Sequence, residues 1–288
     1  MYDTVPLRDR GAQWAEITPV EPDPVSTGEG RELVPRCLTI AGSDSGGGAG
    51  IQADLKAFAA AGCYGMSAIV ALTAQNTVGV TAVHEAPPEF VRAQLEAVFS
   101  DLGADAAKTG MLFSHAVIET VADFLDQHPV PLVVDPVMVA SSGARLLQAD
   151  AVETLVSRLF PLATVVTPNL QEAEALAGVS LPRRQLAERI HELGARAVIV
   201  TGGHGGEAVD HLFDGKRHIE ISVERHDVAA THGAGCTHSA TLTAELAKGV
   251  LLEDAARTAA RVASAAVQHG LVELGSGDGP VDVLGLTA

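Results

Sequence analysis

The chain has 288 residues, 47% of them hydrophobic, which is enough to bury a core for one large α/β domain or two small ones and excludes a disordered chain. Its formal charge of −17 repels nucleic-acid backbones, so a phosphorylated ligand must be held by local backbone N–H groups and a cation. No run reaches the length of a membrane span, residues 1–10 carry charges where a signal peptide would be apolar, and three cysteines at no paired spacing exclude a metal knuckle or a disulfide framework; a cytoplasmic protein is expected.

Residues 1–36 hold five of the fourteen prolines and the only tryptophan, without apolar periodicity. They read as an extension, mobile or draped over a neighbour, ahead of a single domain at 37–288. From residue 37 short β-branched runs alternate with Ala/Leu-rich helical runs. Strands are expected at 37–41, 67–72, 106–110, 132–137, 164–167 and 197–201. Helices are expected between them at 51–61, 88–102, 115–127, 149–159, 170–177 and 183–193. Strands apolar on both faces and separated by helices predict a mostly parallel sheet covered on both sides, with ligands at the edge where strands lead into loops. Residues 208–213 and 217–223 around Asp214-Gly215 predict an antiparallel edge hairpin, followed by helices at 236–248 and 252–270.

The first strand leads into Ala41-Gly42-Ser43-Asp44-Ser45-Gly46-Gly47-Gly48-Ala49-Gly50. A Walker A loop is excluded, because Gly48 and Ala49 stand where Lys and Ser/Thr would follow Gly47. Gly48, Gly50 and Ala53 match a dinucleotide fingerprint, but no acid lies between Lys56 and His84 to bind the ribose. Three consecutive glycines exceed what a tight turn requires and point to a close approach of a flat ligand to backbone. The segment Thr231-His232-Gly233-Ala234-Gly235-Cys236 precedes another helix, and its small residues let N–H groups converge at a helix N-terminus as an anion hole suited to a transferring phosphoryl group. Cys236 lies in the first turn, where the helix dipole is expected to lower the thiol pKa; the competing reading is a small hydrophobe packed behind a glycine turn.

These motifs, together with Ala74-Gln75-Asn76-Thr77, Lys108-Thr109-Gly110-Met111, Val134-Asp135-Pro136-Val137-Met138, Thr167-Pro168-Asn169-Leu170-Gln171-Glu172-Ala173 and Gly202-Gly203-His204, run in the order seen in the hydroxymethylpyrimidine/phosphomethylpyrimidine kinases, which the chain closely resembles. The resemblance implies a ribokinase-like three-layer sandwich and an ATP- and Mg²⁺-dependent kinase acting twice on a small pyrimidine for thiamine biosynthesis, with a homodimer as a possible assembly. It implies that Asp54, Gln75, Gly42 and Met111 bind the pyrimidine, that Asp135 and Glu172 serve Mg²⁺, and that Asn169, Thr201, Gly203 and Thr231 line the nucleotide site. Cys236 would be the general base beside the anion hole of Gly233, Ala234 and Gly235. Taken singly, Asp135, Asn169 and Glu172 also fit turn and capping roles. Two readings of Lys108 stay open, a substrate-phosphate contact and a carboxylate pair. Many relatives carry lysine where Thr201 stands. A pyridoxal kinase of the same fold and a non-catalytic pyrimidine sensor are the competing functions.

Overall fold

The computed structural model describes residues 34–139, 143, 147–148, 151–203 and 208–287. Most of the expected N-terminal extension, the start of the helix expected at 149–159, and His204 lie outside the described residues.

A nine-stranded sheet runs in the order β3-β2-β1-β4-β5-β6-β7-β8-β9. Its middle is parallel: β1 (Arg36–Asp44), β2 (Tyr64–Gln75), β4 (Ala106–Thr109), β5 (Leu132–Val134), β6 (Val165–Val166) and β7 (Val198–Val200). β1 and β4 to β7 are buried on both faces, which is why β5, β6 and β7 read as unbroken apolar runs rather than alternating ones. β8 (Val209–Phe213) and β9 (His218–Ser222) form the expected antiparallel hairpin. A second hairpin lies at the opposite edge, where β3 (Val80–Glu85) pairs antiparallel with a β2 longer than expected. No residue of β3 is fully buried, so it offers no apolar face to read and its register is set by pairing with β2.

One face of the sheet is covered by α2 (Pro88–Asp101), α3 (His115–Gln127), α4 (Ala151–Thr154), α5 (Leu170–Ala177) and α6 (Arg183–Glu192), the other by α1 (Gly50–Ala60), α7 (Ala234–Ala247) and α8 (Leu252–Gln268). The helix expected at 149–159 is broken: after α4 the chain widens into a π turn at Leu155–Leu159 and tightens into a 3₁₀ turn at Phe160–Leu162, ended by Pro161. α5 starts on a capping box, Asn169 Oδ1 accepting from Glu172 N and Glu172 Oε2 accepting from Asn169 N. α7 begins at Ala234, two residues before the expected start, behind Gly233 at φ 84°. It is packed between α1, α8 and the sheet, so even Thr237, His238, Ser239, Thr241 and Thr243 are buried.

The strand directions bring the carboxyl ends of β1, β2, β4, β5, β6, β7 and β9 to one edge of the sheet. The N-termini of α1, α3, α5 and α7 lie at the same edge, since each follows such a strand end or the loop from one.

Candidate active site

The two glycine segments meet at this edge. Asp44, at the end of β1, is 3% exposed, and its carboxylate accepts from the N–H groups of Gly46 (2.8 Å), Gly48 (3.0 Å) and Ala49 (2.8 Å) and lies 3.0 Å from His232 Nε2. Burial alone would raise this carboxyl; the bonds from His232, Ala49 and Gly46 outweigh it and hold it below the usual range. A Cβ on Gly48 would run into the His232 ring, and one on Gly233 into the carbonyl oxygen of Gly48. The run of glycines therefore serves the approach of two protein loops as well as any ligand. Gly42 is constrained separately: its N–H donates to Met111 O (3.1 Å), and a Cβ there would overlap the Met111 methyl. Gln75 ends β2 beside them, its amide within 3.1 Å of Thr73 Oγ1 and 3.4 Å of His232 Nε2.

Asp54 departs from the expected substrate contact. It is fully buried, receives Lys108 Nζ at 2.5 Å and accepts from Thr39 Oγ1 at 2.6 Å, so each of its oxygens already has a protein donor. Lys108 is likewise fully buried, and of its two readings the carboxylate pair is the one the geometry gives, with Asp135 Oδ2 at 3.8 Å as a second acid. Burial would lower the ammonium's pKa, but Asp54, Cys236 and Asp135 raise it overall, so Lys108 stays charged.

Asp135 and Glu172 do converge. Asp135 is 5% exposed and accepts from Ser239 Oγ at 2.8 Å; Glu172 is 8% exposed and turns Oε1 toward Met138 N at 3.4 Å. Burial, and then the neighbouring Asp135, push the Glu172 carboxyl up to about 8. Two buried acids side by side, one of them raised by the other, are a fitting place for a hard dication, which needs few protein oxygens when phosphates and water complete its shell.

Cys236 corrects the expectation of an acidic thiol. Burial pushes it up to about 12; Lys108 and the Gly50 N–H pull it down, Asp54 and Asp135 push it up, and the helix terminus does not outweigh the lost solvation. The anion hole is also narrower than expected. Ala234 N–H donates to Thr231 O at 3.0 Å, which leaves Gly235 and Cys236, early in α7, to point N–H groups outward. Thr231 departs as well: its N–H and hydroxyl both donate to Asp278, at 2.8 and 2.9 Å, bracing the loop against the C-terminal segment.

On the other flank Asn169 and Thr201 are bridged across the ends of β6 and β7, and Gly203 follows, exposed. Sequence reasoning missed the clamp behind them: Asp210 accepts from Gly202 N (2.6 Å) and lies 3.1 Å from His238 Nε2, tying α7 to the Thr201 loop. Nothing in the spacing of Asp210 and His238 announces it. Asp44 was legible in principle as an acid inside a glycine turn. A cleft of about 250 Å³ lies further along the edge, between the chain leaving β9 (Ser222, Glu224, His226) and the Arg257, Arg261 and Ser264 face of α8.

The family model described as phosphomethylpyrimidine kinase matches residues 44–282. A hydroxymethylpyrimidine/phosphomethylpyrimidine kinase of Haemophilus influenzae is 49% identical over 261 residues, covering 86% of this chain and 96% of the relative. Among solved structures, phosphomethylpyrimidine kinase from Clostridium difficile superposes with TM-score 0.70 at 42% identity, covering 78% of this chain and 96% of that one. An ADP complex of Bacillus subtilis pyridoxal kinase superposes with TM-score 0.80 at 40% identity, covering 87% and 97%.

Proposed function

The chain belongs to the phosphomethylpyrimidine kinase family, and from that premise we propose that it transfers the γ-phosphoryl group of ATP to the hydroxymethyl group of 4-amino-5-hydroxymethyl-2-methylpyrimidine and then to the monophosphate so formed, for thiamine biosynthesis. The observation that carries this reading is the meeting, at one sheet edge, of the Gln75 amide, the N-terminus of α7 and the buried acids Asp135 and Glu172.

Gln75 offers amide donor and acceptor to the edge of an aminopyrimidine, and Met111, packed close against Gly42, gives the flat ring an apolar face. Asp54 acts from behind, fixing Lys108. The N–H groups of Gly235 and Cys236 hold the transferring phosphoryl oxygens, with the positive end of α7 behind them. Asp135 and Glu172 would hold Mg²⁺, which when bound neutralises charge on the ATP phosphates. Asn169, Thr201 and Gly203 flank the phosphate path, and the cleft between the β9 exit and α8 takes the nucleoside end of ATP.

Before substrate binds, Cys236 is a thiol and only its small ionised fraction can accept a proton; Lys108 and the Gly50 N–H enlarge that fraction. A loose transition state asks for positioning before proton removal, so a weakly populated base suffices for the alcohol. We place the protein in the cytoplasm; among the described residues no helix is long and apolar enough to cross a membrane. A homodimer rests on the family resemblance alone.

The likeness to pyridoxal kinases favours one second reading, the same transfer to the hydroxymethyl group of a pyridine. Purified protein with ATP, Mg²⁺ and either ring, followed by product mass, tests both. One and two added phosphates on the pyrimidine are expected. A larger kcat/KM for pyridoxal would replace the first reading by the second, and no turnover of either ring would remove both.

A further inference from the structure

Asp44 is an acceptor only, and three loop N–H groups already point at it. The His232 Nε2 that lies 3.0 Å from its Oδ2 must therefore carry a proton and donate it. The same N–H faces the Gln75 amide at 3.4 Å. On the other side of that amide, Thr73 Oγ1 has one proton and two neighbours, Ser43 O at 3.0 Å and Gln75 at 3.1 Å. Ser43 O can only accept, so the hydroxyl proton goes there. The amide as placed turns Oε1 to Thr73 and Nε2 to His232, so that two N–H donors face each other across 3.4 Å; exchanging the two amide atoms, with NH₂ toward Thr73 and the carbonyl oxygen toward the His232 N–H, satisfies all four groups together.

We propose that His232, anchored by Asp44, is a positioning residue that sets which way the Gln75 amide faces, and so which donor and acceptor edge the protein presents to the acceptor ring. The inference rests on the reading of Gln75 as the ring-binding amide. His232 immediately precedes Gly233 of the phosphoryl cradle, while Asp44 shapes the first glycine turn, so one imidazole registers the cradle against the ring-reading strand end. Gln75 and His232 also share a wall of a cavity of about 210 Å³ closed by residues 76–78 and 277–278, which leaves the amide an open side from which a ring can be read.

The test uses His232→Ala and His232→Gln in the full chain, with KM and kcat for the pyrimidine, for pyridoxal and for ATP, alongside thermal unfolding. Glutamine places an amide N–H where Nε2 stands, able to serve both Asp44 and Gln75. A hydrogen bond to a charged group is worth about 1.5–3 kcal/mol, so His232→Ala is expected to raise the pyrimidine KM roughly tenfold or more. Its pyrimidine-over-pyridoxal preference should shrink by a similar factor, the ATP KM should change little, and His232→Gln should recover most of the loss. An unchanged preference in His232→Ala, or equal damage in both variants tracking a lowered melting temperature, overturns the proposal. Were Gln75 not the ring contact, Gln75→Ala would leave the pyrimidine KM unchanged; that result would sink the underlying reading, whereas a Gln75 effect without a His232 effect sinks only this inference.

Discussion

Replacing Lys108 by Met tests whether Asp54 is a brace rather than a ligand contact. Both side chains are fully buried and their charges lie 2.5 Å apart, with Thr39 as the only other group that donates to the carboxylate among the described contacts. Removing the ammonium strands a buried carboxylate with one hydroxyl donor, a situation that costs about 3–5 kcal/mol. For a domain of this size each kcal/mol moves the melting temperature by roughly 2–4 °C, so a loss of roughly 6–20 °C is expected. Asp54→Leu alone strands the ammonium and should cost a similar amount. The double variant removes both charges and should regain most of the loss, leaving the Thr39 bond and the longer Lys108–Asp135 pair broken, because matched apolar groups replace a buried pair at little net cost. Urea unfolding of the four proteins, followed by circular dichroism without ligand, gives the cycle. If the single costs merely add in the double variant, or if Asp54→Asn leaves stability within about 0.5 kcal/mol while the pyrimidine KM rises, Asp54 is a ligand contact and the account of it is wrong.

Cys236→Ala should lower turnover of the alcohol by about 100-fold, the usual scale of a lost proton acceptor, and lower the second transfer far less, since a phosphate monoester is already largely ionised at neutral pH; equal losses with both acceptors refute the role. For Glu172, folding raises the carboxyl from 4.5 to about 8, so the folded chain holds a proton that the unfolded chain releases. That stability is fully present below about 4.5 and is lost as pH rises through about 8; melts of Mg²⁺-free protein should fall over this window, and Glu172→Gln should flatten the slope. Gly233→Ala puts a side chain at φ 84° against the Gly48 carbonyl and should cost more than about 1 kcal/mol, read by thermal unfolding; a neutral result means the two loops are not in contact.

The central strands were legible because burial on both faces writes itself as runs such as Cys37-Leu38-Thr39-Ile40-Ala41. β3 was not, because Thr81, His84 and Glu85 make a half-exposed edge whose place depends on β2 rather than on its own pattern. Asp135, Asn169 and Glu172 could be placed together because each follows a strand of a parallel sheet, and topology alone carries such ends to one edge. The partners of Asp54 were not legible for a complementary reason: the sequence puts it one turn into α1, near the glycine loop, but only tertiary packing decides that its side chain turns down to Lys108 on β4. The acidity of Cys236 failed on magnitude. A helix terminus contributes a fraction of a unit charge, while partial burial strips much of the thiolate's hydration, and a sequence carries no measure of burial depth.

The order of strands also explains how an acidic chain holds a highly anionic nucleotide. Gln75 and Gly42 lie on β2 and β1, Met111 follows β4, Asp135 follows β5, Asn169 and Thr201 follow β6 and β7, and the second cleft follows β9. Four strand steps of roughly 4.8 Å separate β5 from β9, about 19 Å in all, which is room for an extended triphosphate with its nucleoside beyond Thr201 and its terminal phosphate at the acids. On the proposed reading, attraction along that path would come from the start of α7 and from a Mg²⁺ held by Asp135 and Glu172 at the acceptor's end, and from Arg257 and Arg261 beside the cleft at the far end. A chain with net charge −17 would thus hold the nucleotide by local donors and cations at both ends of the path, and the direction in which ATP lies would be set by the acids and the α7 cradle, which only a terminal phosphate carrying a dication can satisfy together.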